Sequence, residues 1–581
     1  MTSWRLRRLI PFLLLVLLLV LGAWVAWVVW HVNEDLTSSV DDVEQLRSAA
    51  EASDVDAMNA SLEELEEHSG SADERTSGLT WSVLTKLPWV GDDARGVRVV
   101  SEVVHDLAID GAQPLVTVSA DLDRITPQDG AVSIEAIRDL QTPVEQAATA
   151  LDAAVAGLNS EDPVDFVMRL RTKYRELATT LRDARSTLSS ASTALEVLPS
   201  MLGDDEERNY LLVFQNNAEI RATGGLPGAV ALLRTEDGKI ELTRQVAANS
   251  FANAPRPVLP LSDAERTLYQ DLVGTFFLNA NLTPDFPRVA ALMATRWEQV
   301  YPEDIDGVLT LDTVALSYIL AATGPVQVGD TAITSDNAVR ELLHEVYLRY
   351  EDPADQDVFF RRVARRTFDQ VSTGIPDPQA LLQELARGAE EGRVLVHSFD
   401  PTEQQEIAGT QLAGEAFAAV STQPQVDVTL NDATGAKMSY FLRYDVRVRP
   451  TYCKDDVQGY AGSVRLESTA PPESAALPDY VTGGGLFGAE PGTQFVTVRI
   501  YSPAGGSLSD FRLNAKRLDP DVVDQEGRLV EQVFLQLGPG QALNLDWRMT
   551  SGPGQTGDTS VRVTPSVSEG TRSSTTESAC S

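Results

Sequence analysis

The stretch Arg208–Val246, RNYLLVFQNNAEIRATGGLPGAVALLRTEDGKIELTRQV, decides the reading of this chain. Here a helical period gives way to strand-like runs: Asn209–Gln215 (NYLLVFQ), Gly228–Arg234 (GAVALLR) and Lys239–Val246. Further on, Ile305–Leu311 (IDGVLTL) and Arg393–Ser398 (RVLVHS) read the same way. Helical patterns fall between them at Asp263–Leu278, Phe286–Gln299, Asp336–Arg349, Val358–Thr373 and Pro378–Arg387. Strands alternating with helices predict an α/β core domain over residues 205–420.

Upstream, residues 33–200 are helical in period, punctuated by Pro88, Pro127, Pro163 and Pro199. Val167, Leu170, Tyr174, Leu177, Leu181, Ala184, Leu188, Ala191, Leu195 and Leu198 follow a 3-4 spacing, a coiled-coil seam that no single helix can bury alone. An antiparallel helical bundle forming a stalk is expected. The glutamates of Leu62-Glu63-Glu64-Leu65-Glu66-Glu67 read as a solvated face. Downstream, from about Val426, helices stop and short strands separated by turn formers such as Gly538-Pro539-Gly540 predict a β-sandwich over 425–565. The Ser/Thr-rich tail, 566–581, reads as mobile unless Cys580 tethers it.

At the start, Arg5, Arg7 and Arg8 precede an uncharged run from Leu9 to Trp30, which as a helix would span about 33 Å. Basic residues before the run and Glu34, Asp35, Asp41 and Asp42 after it place residues 1–8 in the cytoplasm and the bulk outside. Trp24, Trp27 and Trp30 end the run without a small-residue cleavage site, so it reads as an uncleaved signal-anchor at 9–30. The net charge of -38 argues against nucleic acid as a partner, because phosphate backbones repel it. Two cysteines in an oxidising compartment most often pair, so Cys453 and Cys580 are expected to form a disulfide.

The search for chemistry is sparse. His344-Glu345 lacks the second histidine of a zinc-protease motif, since Leu348 stands there. Gly483-x-Gly485-x-x-Gly488 sits in no βαβ unit and reads as a loop. No metal site is predicted. The unusual segment is Gln215–Gly225, which joins two core strands through crowded polar groups. It reads either as turn chemistry or as a ligand site in which Arg221 holds a phosphate, Gly224 and Gly225 let backbone N–H groups approach, and Asn216, Asn217 and Glu219 orient neighbours. A second polar cluster, Asn279, Asn281, Thr283, Asp285 and Arg288, is a further candidate, equally explained as turn and cap.

Arg208–Val246, with the stretches NANLTPDFPRVAALMATRWEQ from Asn279 and DGVLTLDTVALSYILAATGPVQV from Asp306, resembles an actinobacterial membrane-anchored envelope family, domain of unknown function 4012. The same pattern is distantly similar to the LytR–CpsA–Psr phosphotransferases, which move polyprenyl-pyrophosphate-linked glycans with arginines and a Mg²⁺-binding Asp. Departures are plain: the first strand ends Phe214-Gln215-Asn216 without the family's Asp, and Ala247-Ala248-Asn249-Ser250 replaces its Arg-Asp pair. The resemblance therefore implies a LytR–CpsA–Psr-like fold in a multidomain α+β chain, without the catalytic set. It implies an extracytoplasmic protein that binds or presents envelope glycan or its polyprenyl-linked precursor, with no cofactor. The alternatives are an active phosphotransferase, which would need Mg²⁺, and a structural or adhesive spacer without a ligand site.

Overall fold

The computed structural model describes the backbone of residues 3–52, 54–119, 122–128, 130–417, 421–519, 521–570 and 573–580. Side chains are described from Trp24 onward within those ranges, except at positions 51, 119, 122, 123, 183, 186, 187 and 190. The expected anchor, Leu9–Trp30, lies in the long helix Ser3–Glu51, but most of its side chains fall outside the described residues. Among the described residues no helix is long and apolar enough to cross a membrane. The chain divides into two compact units, residues 1–125 with 135–196, and residues 126–134 with 197–581.

The first unit is helical. Its main helices are Ser3–Glu51, Val55–Ser77, Gly91–Asp106 and Ile134–Leu158, with most of Met168–Met201. Val103, Ala154, Val155, Leu158, Phe166, Tyr174, Ala178 and Leu181 form one buried cluster. Tyr174 caps it by donating its hydroxyl to the Leu158 carbonyl at 2.6 Å. The seam is right for Tyr174 and Leu181 but wrong for Val167, which is exposed where Met168 only begins its helix. Glu63, Glu64 and Glu67 face solvent while Leu62 and Leu65 are buried, as their helical phase requires.

The second unit opens with β1 (Arg208–Arg221), β2 (Gly224–Glu236) and β3 (Lys239–Ala247), followed by β4 (Gly307–Asp312). A small hairpin, β5 (Val326–Val328) and β6 (Thr331–Ile333), precedes β7 (Val394–Ser398). The main sheet has the order β3-β2-β1-β4-β7. Only β1 and β4 run parallel. The expected alternation of strand and helix is therefore corrected: β1–β2–β3 is an antiparallel meander, because its turns are too short to hold a crossover helix. The expected helix Asp263–Leu278 is broken into Asp263–Tyr269 and Leu272–Thr275, with Gln270 at positive φ between them.

Strand alternation gives the sheet two apolar faces. Leu211 and Val213 meet Phe286, Val289 and Trp297 on one side. Leu316, Leu342, Leu343, Tyr347, Phe359 and Val363 pack in the helical layer on the other. The β-rich half adds β8 (Gln425–Asp432), β9 (Leu442–Lys454), β10 (Val457–Ser468), β11 (Gln494–Tyr501), β12 (Ser507–Leu513) and β13 (Lys516–Arg517). It continues with β14 (Val523–Gln525), β15 (Arg528–Leu537), β16 (Ala542–Thr550), β17 (Thr559–Val563) and β18 (Ser574–Thr576). Two sheets, β13-β12-β16-β10-β9 and β14-β15-β11-β8-β17-β18, enclose Val428, Leu430, Val464, Leu466, Val498, Ile500, Leu545 and Trp547.

The tail is not loose. It contributes β18, and Cys580 is disulfide-bonded to Cys453 of β9, with Cα atoms 5.0 Å apart. The two halves of this unit share one interface. Ile220, near the tip of the β1–β2 hairpin, is buried in the sandwich core, while Tyr501 and Val530 of the sandwich join the core under the mixed sheet.

Candidate functional site

The polar segment Gln215–Gly225 is not an open turn. β1 continues through it to Arg221, with register shifts after Phe214 and Asn216. The second shift lets Asn217, Ala218 and Glu219 leave the ladder as a bulge, which re-aims their side chains. Asn217 donates to Asp312 at 2.8 Å, and Asn216 donates to the Tyr347 hydroxyl. A Cβ at Gly225 would collide with the Asn216 backbone, so the close return of the chain requires glycine there. Asn281 seals the hairpin, donating to the Gly225 carbonyl at 2.8 Å.

Arg221, expected to contact an anion, is 5% exposed and engaged internally. It donates to Glu219 at 2.7 Å, to the carbonyls of Ile220 at 3.0 Å and Asp432 at 3.3 Å, and to Asn279 at 3.4 Å. The bulge turns its guanidinium toward the end of β8. Gly224 and Gly225 are likewise buried, and the Gly225 N–H is taken by the Gln215 side chain at 3.0 Å. Asp285 and Arg288 stand apart: Asp285 accepts from the Ala416 N–H at 2.9 Å, and Arg288 pairs with Glu265 at 2.8 Å.

A pocket opens on the other side of the hairpin. Its enclosed space is about 120 Å³ and opens to solvent at the mouth. Phe214, Leu226, Leu278, Leu311, Leu316 and Leu342 line it, with Phe360 and Val363 from the helix Pro353–Thr373. Of the ten predicted site residues, Asn216 alone lies on this wall.

Beside Asn216 are Tyr347, Tyr480 and Lys437. The two tyrosine rings are 5.7 Å apart, and the Lys437 Nζ lies 5.3 Å from the Tyr480 ring centre. Lys437 is buried and ion-paired with Glu219. Burial pulls the ammonium's pKa down, but the Glu219 carboxylate more than reverses this, so Lys437 stays charged. Burial likewise pushes Glu219 up, and Lys437 and Arg221 outweigh it, holding the group below the usual carboxylate range. Asp432, buried beside Glu219, is raised to about 6 by desolvation and by that neighbouring charge.

Asp312 is part of the pocket wall and is fixed by three donors: Asn217, the Ala315 N–H at 2.8 Å, and Arg393 at 2.8 Å. Arg393, fully buried just before β7, also donates to Glu391 and to the tail carbonyls of Ser566 at 2.9 Å and Ser568 at 2.7 Å. Among the described residues no group of three or more His, Cys, Asp or Glu is placed to hold a metal ion.

Sequence reasoning missed Lys437, Tyr347, Tyr480 and Arg393, which reach the site from 130 to 260 positions beyond the hairpin. One signal was available for Lys437: it is among only six lysines in the chain, set within the turn-rich run Asp432-Ala-Thr-Gly-Ala-Lys437. Residues 205–347 match a protein-family model described as a protein of unknown function (DUF4012). The match takes in the hairpin and much of the pocket wall and ends before Lys437 and Tyr480. No curated protein matches the chain.

Proposed function

We propose that this is a single-pass membrane protein of the cell envelope, anchored by Leu9–Trp30, whose outer part binds or presents a polyprenyl-linked glycan precursor. One observation carries the reading: a pocket with apolar walls and a few convergent polar groups beside Asn216, the pattern of a site for an apolar chain with a polar head. The Arg-flanked apolar run speaks for the anchor, and a disulfide suits an oxidising compartment.

A photoactivatable isoprenoid phosphate added to the full chain in detergent is expected to label peptides containing Phe214, Leu342 or Phe360. Ala364→Trp, which fills the pocket, should abolish the label. Labelling elsewhere, or labelling indifferent to Ala364→Trp, would refute the reading.

The runner-up, an active LytR–CpsA–Psr-type phosphotransferase, draws support from Asp312 and Asp357 on the same wall. Against it stands the commitment of Arg221 to Glu219 and of Asp312 to Arg393. Mg²⁺-dependent release of polyprenyl phosphate by the full chain would reverse the preference.

A further inference from the structure

Lys437 lies just outside β8, on the sandwich side of the unit, yet its side chain reaches the wall of the pocket floored by β1 and β4. It is the single basic residue among those lining the pocket. An ammonium carries three donors. Glu219 accepts one, and no other protein acceptor is present among the described residues. A charged group that is 5% exposed normally has its donors satisfied, so two spare N–H groups at a cavity wall call for an acceptor that the protein does not supply.

The surroundings select the kind of acceptor. The Tyr480 ring lies 5.3 Å from the ammonium with the Tyr347 ring 5.7 Å beyond it, and Asn216 is held against the Tyr347 hydroxyl. These groups can donate to several oxygens of one small anion, while the walls beyond them are aliphatic and aromatic. Behind Lys437, Glu219 is shared with Arg221, and Asp432 is buried beside it, so two cations face two buried carboxyls.

We infer that Lys437 contacts the anionic head of an amphiphile whose apolar chain fills the pocket, the head being a phosphate monoester. This rests on the pocket reading above and gives the anion-binding role to the sandwich half instead of to Arg221. It also makes the sandwich part of the binding site.

Binding to the full chain in detergent should be compared for geranylgeranyl phosphate, geranylgeraniol and inorganic phosphate. A buried charge-assisted contact predicts that the phosphorylated chain binds about ten- to a hundredfold tighter than the alcohol. Inorganic phosphate, lacking the chain, should bind far more weakly than either. Lys437→Met should erase the preference, so that the variant binds the phosphorylated chain and the alcohol alike. Equal binding of phosphate and alcohol by the native chain, or a preference that survives Lys437→Met, overturns the assignment but leaves the pocket reading standing. If neither isoprenoid binds, both fall. If inorganic phosphate binds as tightly as the phosphorylated chain, the site is a plain anion site and the amphiphile is wrong.

Discussion

Replacing Arg221 by methionine separates a structural arginine from a ligand contact. The side chain is buried and supplies Glu219, two main-chain carbonyls and Asn279. Breaking a buried ion pair costs about 3–5 kcal/mol. Glu219 keeps Lys437, so the lower end, about 3 kcal/mol at pH 7, is expected. The loss should depend on pH. Asp432 is already raised to about 6 by burial and by Glu219, with Arg221 opposing the rise. Without that cation its folded pKa climbs further, and the folded variant holds a proton that the native fold has released. Stability carried by a raised carboxyl is present at low pH and lost as pH rises through its folded value. The cost of the substitution should thus be smallest near pH 5 and grow toward pH 8, by up to about 1.4 kcal/mol per pH unit in that window. Urea midpoints for native and variant at pH 5, 6, 7 and 8 measure it, together with the affinity for geranylgeranyl phosphate, which should change less than about twofold. A variant of native stability that has lost the ligand would show that Arg221 serves the site and that the buried node has been misread.

Arg393→Met should destabilise the unit by about 3–5 kcal/mol, since Asp312 and Glu391 lose a buried partner, and it should speed proteolysis after residue 565; unchanged tail protection would contradict this. Reducing Cys453–Cys580 opens a link across 127 positions, worth up to about 5 kcal/mol in the chain-entropy account, and should lower the urea midpoint measurably. Thiol-blocked protein with two free cysteines would show that no such link forms. The native polypeptide should retain its N-terminus and expose everything after His31 to protease in spheroplasts; a mature protein starting near residue 31 would rule out the anchor.

The strands of the mixed sheet were legible because Leu211, Val213, Val230 and Leu232 are apolar whatever covers them. The fate of Asn216–Arg221 was not, because residues of those types normally meet water in turns. What covers them is β8 and its following turn, some 210 positions later, and nothing local announces that pairing. The sandwich was readable from its turn spacing and the disulfide from compartment logic, yet neither indicated that Ile220 would sit in the sandwich core. The pocket was the least legible feature. Its walls combine three strands, several helical segments and Lys437 and Tyr480 from the second half, and the parts look like ordinary core until they are brought together.

The tail carbonyls that complete the shell of Arg393 have a consequence for the order in which the chain can mature. Synthesis proceeds from the N-terminus, so β7 emerges about 170 residues before Ser566, Ser568 and Gly570 exist. During that interval a guanidinium destined for full burial lacks several of its acceptors, and the mixed sheet cannot close around it at native cost. Ser566, Ser568 and Gly570 thus complete the shell of Arg393 only after every strand of the mixed sheet has been made, and a chain lacking them would carry the whole mixed sheet around an under-partnered guanidinium.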